Sequence, residues 1–185
     1  MSYEAFHATE FVAVSQDIIW TKFLTEEFVE IIKNACTSAN SWKGNRRQPY
    51  FTQDIHFEKE LPEWYDILAY KLNEDIFPKA CRYWEVENIT VQNIFAVRYS
   101  LDTQRELKQH HDDSFISGSI KLNDSYTGGE LYFPRQKFTN KNIGTGDLLL
   151  WPGQITHIHG STALLTGEKY SVTIWTKNED LENHR

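Results

Sequence analysis

Val91-Gln92-Asn93-Ile94-Phe95-Ala96-Val97-Arg98-Tyr99 decides the fold. After residue 88 the period changes from helical to two, with Val91, Asn93, Phe95, Val97 and Tyr99 alternating against Gln92, Ile94, Ala96 and Arg98. Further strands are expected at about 114–122, 129–133, 147–151, 155–159 and 169–177. The turns between them are Asn123-Asp124, Gly128-Gly129, Gly144-Thr145-Gly146, Pro152-Gly153 and Gly167-Glu168, and eight of the nine glycines lie at or after Gly118. Many short strands joined by glycine turns imply an antiparallel sandwich or barrel.

Upstream of that stretch the pattern is helical. Phe28, Ile31, Ile32 and Ala35 or Cys36 recur at three and four between Leu24 and about Ala39, with Thr25 placed to cap and Glu26 and Glu27 suited to the helix dipole. A second helix is expected from Pro62 through Trp64, Ile67, Leu68, Leu72 and Ile76, ending near Phe77 because Pro78 follows. The polar run Ser41–Pro49, broken at Gly44 and Pro49, reads as a loop. The expectation is a mainly β, α+β fold with helices packed on one outer face. It forms one domain over residues 1–185, helical over about 15–88 and with its β core over about 89–178.

Composition narrows the function. At 185 residues and 21.7 kDa, with 40% apolar, 24% charged and 14% aromatic residues, the chain has the make-up of one globular domain. Nineteen Lys and Arg against 26 Asp and Glu give a net charge of −7, which argues against nucleic acid or an anionic membrane surface as partner. Apolar runs such as Leu148-Leu149-Leu150-Trp151 are strand-sized, far below the ~20 residues of a membrane helix. The start, Met1–His7, has no basic and apolar leader pattern, so a cytoplasmic location is expected. Cys36 and Cys81, without C-x-x-C spacing, read as buried small hydrophobes.

His110-His111-Asp112-Asp113 lies just before one expected strand, and Thr156-His157-Ile158-His159 ends another. Two histidines and a carboxylate can hold one face of a metal ion and leave the other open, as in non-haem Fe(II) oxygenases. Side chains two apart share a face of an extended segment, so His110 with Asp112, or His111 with Asp113, can reach one ion. Asp54-Ile55-His56 repeats these residue types in reverse and reads as a surface strand. Ten residues after His159, Lys169 and Ser171 share one strand face, a cation and a hydroxyl suited to a carboxylate of a dicarboxylic acid. Trp151 and Trp175 are expected in the barrel core, Lys121 as a solvated strand lysine, and His157 in a packing or supporting role near the site.

Phe95–Tyr99, His110-His111-Asp112 with Ser114-Phe115, Pro152–Gly160 and Asp54-Ile55-His56 are similar to procollagen lysyl hydroxylases. Gly128–Pro134, and lysine at position 169, resemble prolyl 4-hydroxylases. From Ile18 to Lys177 the sequence thus resembles the catalytic domain of Fe(II)- and 2-oxoglutarate-dependent peptidyl hydroxylases. The resemblance implies a double-stranded β-helix (jelly roll, cupin-like) with His110, Asp112 and His159 as catalytic iron ligands. It implies Lys169, Ser171 and Tyr99 as contacts of the cosubstrate 2-oxoglutarate. The implied reaction consumes O2, decarboxylates 2-oxoglutarate to succinate and CO2, and hydroxylates a C–H bond of a prolyl or lysyl residue in a peptide or protein, with ascorbate keeping the iron reduced. Nucleic-acid demethylases are expected to carry R-x-N-x-T-x-R on the last strand, where this sequence reads Lys169-Tyr170-Ser171-Val172-Thr173-Ile174-Trp175. The alternatives are a free amino acid or other small-molecule substrate, or a catalytically silent cupin-like metal-binding protein.

Overall fold

The computed structural model describes residues 4–39, 41–44 and 51–182. Strands β1 (Val12–Ser15) and β2 (Ile18–Lys22) precede helix α1 (Glu26–Ala39), followed by β3 (Lys43–Gly44) and β4 (Gln53–His56). Thr25 Oγ1 accepts the Phe28 N–H at 3.3 Å and so caps α1 as expected. Helices α2 (Phe57–Glu60) and α3 (Pro62–Lys71) then run into a π-helical turn, Leu72–Ile76, and α4 (Phe77–Ala80). The helix therefore does not end at Phe77. Pro78 occupies the first turn of α4, where its missing N–H leaves no bond unmade.

The β region comprises β5 (Ile89–Tyr99), β6 (Leu107–His110), β7 (Ile116–Lys121), β8 (Tyr126–Gly128), β9 (Leu131–Phe133), β10 (Phe138–Thr139), β11 (Asp147–Pro152), β12 (His159–Ser161), β13 (Leu164–Gly167) and β14 (Lys169–Asn178). A short helix, α5 (Glu179–Glu182), ends the described residues. One expected strand is corrected: residues 155–158 are not extended, and the strand begins only at His159. Ile155 takes φ 48°, which breaks any ladder there.

Eight strands form one sheet in the order β1-β2-β11-β7-β14-β5-β4-β3, four form a second in the order β10-β9-β12-β6, and β13 pairs with β8. The strand pairings among the described residues are antiparallel. The region expected to be helical thus also supplies β2, β3 and β4 to the large sheet, and Asp54-Ile55-His56 is no surface strand, because Asp54 and Ile55 are buried.

Period two divides the large sheet into two surfaces. Ile94 and Ala96 of β5, Ile120 of β7, Leu148 and Leu150 of β11, and Val172 and Ile174 of β14 pack with Phe28, Ile32, Leu68, Leu72 and Phe77 of the helices. On the opposite surface Leu149 and Trp151 meet Phe133 of the small sheet, while Phe95, Val97 and Tyr99 pack with Leu164. At roughly 25 cal/mol per Å² of apolar area, the helix-side core is the main stabilising term. The inward surface is left to build a site. Among the described residues, no helix is long and apolar enough to cross a membrane.

Candidate active site

His110 ends β6 and His159 begins β12, and the antiparallel register makes them direct partners. Asp112 follows two residues later, where its N–H donates to the Gly153 carbonyl at 3.1 Å. One ligand atom from each of His110, Asp112 and His159 lies within 4.8 Å of the others. Asp112 Oδ1 is 3.4 Å from His110 Nε2, and Oδ2 is 3.4 Å from His159 Nε2. His111 and Asp113 lie outside this cluster: His111 Nε2 donates to the Ile155 carbonyl at 3.0 Å, and Asp113 lines a separate cavity with Gln92 and Gln154.

The hydrogen bonds behind the two rings set their tautomers. His110 Nδ1 donates to the Lys108 carbonyl at 2.8 Å and His159 Nδ1 to the His157 carbonyl at 3.0 Å; a carbonyl only accepts, so both Nδ1 atoms carry hydrogen. Burial holds the His159 pKa below its ordinary value against the pull of Asp112, which favours the neutral imidazole a metal needs. Burial pushes the Asp112 carboxyl upward, but the His110 contact, the charge of His159 and the Ser117 hydroxyl at 2.6 Å outweigh it and keep the carboxyl below its usual range. With both rings neutral, each of the three side chains offers a lone pair on an atom within 4.8 Å of the other two. The 3.4 Å separations exceed the ~2.7–2.9 Å of a charge-assisted hydrogen bond and suit donor atoms arranged around a shared cation. The donor set therefore fits a divalent metal.

A cavity opens beside the cluster and is lined by His110, Asp112 and His159 together with Tyr99, Lys169 and Ser171. Lys169 begins β14 opposite Tyr99, and its Nζ lies 4.5 Å from the Tyr99 ring centroid. Its Nζ donates to the Gly129 carbonyl at 2.8 Å and to Ser161 Oγ at 3.3 Å. Lys169 is only 5% exposed, and among the described residues no carboxylate lies within salt-bridge distance of it. Burial, reinforced by the charge of Lys121 and opposed by Glu130, pulls its pKa down to about 7. A buried ammonium without a counter-charge fits the distal carboxylate of 2-oxoglutarate.

Several residues sit elsewhere than expected. Lys121 does not line the cavity; it pairs with Asp124 and donates to the Ile143 carbonyl at 3.1 Å, so it is bonded rather than solvated. Trp151 is buried with Phe133 as expected but also lines the cavity, and Trp175 forms its aromatic wall with Phe95 at 5.2 Å between centroids. In the run Ser41–Pro49 expected to be a loop, Trp42 packs on Tyr170 at 5.8 Å, while Arg46 and Arg47 lie outside the described residues. Buried His157 donates through Nε2 to the Gln16 carbonyl at 3.0 Å. Sequence pattern alone does not point to Ser117, which supports Asp112 from the start of β7, behind the site. Ser161, beside Lys169, does leave a signal, since it lies two residues beyond His159 and shares its strand face.

The similarities to known proteins fall among proteins named as 2-oxoglutarate- and iron-dependent oxygenases and hydroxylases. No family model matches. The chain is 28% identical over 171 residues to the rat multifunctional procollagen lysine hydroxylase and glycosyltransferase LH3, covering 83% of this chain and 22% of that protein. It is 29% identical over 97 residues to the Xenopus tropicalis 2-oxoglutarate and iron-dependent oxygenase domain-containing protein 2, covering 48% of this chain and 27% of that protein. The chain thus spans only about a quarter of the length of these relatives. Its fold matches a viral collagen prolyl hydroxylase from Paramecium bursaria Chlorella virus-1 in complex with 2-oxoglutarate, at TM-score 0.66 and 16% identity, covering 87% of this chain and 96% of that one. A Trichoplax adhaerens prolyl hydroxylase in complex with a hypoxia inducible factor peptide fragment matches at TM-score 0.67 and 12% identity, covering 91% and 86%. The fold is the double-stranded β-helix of 2-oxoglutarate oxygenases.

Proposed function

We propose that this chain is an Fe(II)- and 2-oxoglutarate-dependent dioxygenase that hydroxylates a C–H bond of a prolyl residue in a peptide or protein. One observation carries the reading: His110, Asp112 and His159 meet in the same cavity as the buried Lys169. In this reading those three side chains hold the iron, Lys169 pairs with the distal carboxylate of 2-oxoglutarate, Ser171 hydrogen-bonds it, and Tyr99 flanks it. Iron with 2-oxoglutarate supplies the oxidant, with succinate and CO2 as coproducts and ascorbate keeping the iron reduced. The protein's own contribution is to orient the target carbon and exclude water behind the wall of Phe95, Trp151 and Trp175.

The lining favours proline over lysine. Asp112 is the only acid among the described lining residues, and the metal claims it. A lysine that brings one of its methylene hydrogens to the cluster also brings its ammonium into a cavity that already holds Lys169, and an unpaired buried charge costs several kcal/mol. A pyrrolidine ring is neutral and packs on aromatic faces. Similarity to proteins named lysine hydroxylases supports the second reading, a lysyl target. Burial raises the thiol pKa of Cys36 to about 12 and that of Cys81 to about 11, which keeps both unreactive.

The test is mass spectrometry of a peptide library after incubation with Fe(II), 2-oxoglutarate, O2 and ascorbate. A gain of about 16 Da, the mass of one oxygen, is expected on proline. The same gain on lysine overturns the prolyl reading, and succinate formed with no modified peptide moves the target to small molecules.

A further inference from the structure

The loop joining β11 to β12 holds Ile155 at φ 48°, and among the described residues it is the only β-branched side chain with a positive φ. Such a backbone is a true outlier for a branched residue and persists only where surrounding contacts over-determine it. The side chain is 78% exposed, so its own packing does not hold it there. The carbonyl does: Ile155 O accepts from His111 Nε2 at 3.0 Å and from Arg135 Nη1 at 3.3 Å. The next carbonyl, Thr156 O, accepts from Gln136 Nε2 at 3.1 Å.

This latch lies between the two halves of the candidate metal cluster. His111 stands between His110 and Asp112 in sequence, and the loop it grips leads directly into His159. The near end of the loop is tied to the same segment, since Gly153 O accepts the Asp112 N–H at 3.1 Å and the Gly153 N–H donates to Phe115 O at 3.0 Å. A Cβ on Gly153 would fall 2.2 Å from Ser114 O, so only glycine allows that approach. The far end is tied by the His157 carbonyl, which receives His159 Nδ1 at 3.0 Å.

We propose that His111 is a positioning residue for the metal site: by donating to the Ile155 carbonyl, with Arg135 as a second prop, it holds His159 at coordinating distance from His110 and Asp112. The inference rests on the metal-binding reading above. Its physical content is preorganisation: two ligands come from one segment and the third from another, and the latch fixes their separation before the ion arrives.

Calorimetric titration of metal-stripped protein with Mn(II) tests it without requiring turnover. His111→Phe, which removes the donor, is expected to weaken Mn(II) binding by about 10-fold, the low end of the effect of losing a group bonded directly to a ligand, because His111 acts through the loop. His111→Gln keeps an N–H donor and is expected to recover most of the affinity. Ile155→Gly keeps the carbonyl and relieves the backbone, so it is expected to hold affinity without lowering Tm. Arg135→Met, at an exposed position, supplies a folded variant with the second prop removed and is expected to bind more weakly than wild type. Wild-type affinity in both His111→Phe and Arg135→Met overturns the proposal. So does a His111→Gln variant as weak as His111→Phe, which would make His111 itself a ligand. Failure of the wild-type protein to bind Mn(II) instead overturns the metal reading, and this inference with it.

Discussion

Replacing Lys169 by methionine separates two effects that a single assay would merge. In the ligand-free protein this ammonium is buried without a carboxylate partner among the described residues, and its pKa sits at about 7 against 10.5 for a free lysine. The group is basic and its folded pKa is lowered, so between those values the unfolded state holds a proton that the native state has released. Stability therefore rises with pH through that window, and the penalty is fully present below about pH 7. The penalty is on the order of a few kcal/mol. Methionine removes it but also removes the bonds to Gly129 O and Ser161, about 1.5–3 kcal/mol for a charged donor. The ligand-free Lys169→Met protein should accordingly melt no lower than wild type near pH 6–7, with a flatter pH dependence above it. Binding should move the other way. Truncating one partner of a buried charge pair costs about 2–5 kcal/mol, or about 30-fold to several thousand-fold in the Kd for 2-oxoglutarate. The assay is calorimetry of 2-oxoglutarate into Mn(II)-loaded protein, alongside thermal melts from pH 6 to 10. In wild type the bound dianion returns the proton to Lys169, so affinity should fall as pH rises above about 7, and the variant should lack that slope. An unchanged Kd in Lys169→Met with metal still bound would refute the assigned role.

Two further outcomes are expected. Ser117→Ala removes the hydroxyl that donates to Asp112 Oδ2 at 2.6 Å and should weaken Mn(II) binding roughly 10-fold or more while melting within a few degrees of wild type. Thr25→Ala deletes the cap of α1 at the cost of about 1 kcal/mol, which for a protein of this size lowers Tm by about 2–4 °C without altering metal or 2-oxoglutarate affinity.

Local pattern carried the parts of the fold that local forces determine. The alternation of Val91–Tyr99 is the central strand β5, and the three-and-four spacing after Thr25 is α1. What the pattern could not carry was set by partners distant in sequence. Residues 155–158 looked extended, but the backbone at Ile155 answers to His111 and Arg135, 44 and 20 residues away. Pro78 looked like a stop, but a π-helical turn lets the helix continue past it. β1, β2 and β4 have four or five residues each, too few to show a period. For the candidate site, strand geometry left His110 with Asp112 and His111 with Asp113 equivalent, and the resemblance to known hydroxylases pointed to the first pair; the structure brings His110 and Asp112 together with His159. Ser161 is signalled by its place two residues beyond His159, whereas Ser117 reaches Asp112 over a turn five residues long, which no strand or helix period displays.

The cluster of His110 and His159 belongs to the four-stranded sheet, whereas Lys169, Ser171 and Tyr99 belong to the eight-stranded one. On the proposed reading the two ends of the cosubstrate are gripped from opposite walls, whose separation, about 10 Å for stacked sheets, is set by core residues such as Leu149, Trp151 and Phe133. The sandwich is then a ruler for carbon-skeleton length. Buried side chains outside the cavity lining, such as Leu149 and Phe133, then bear on the length of diacid the site accepts, and a methylene trimmed from them is expected to shift that length.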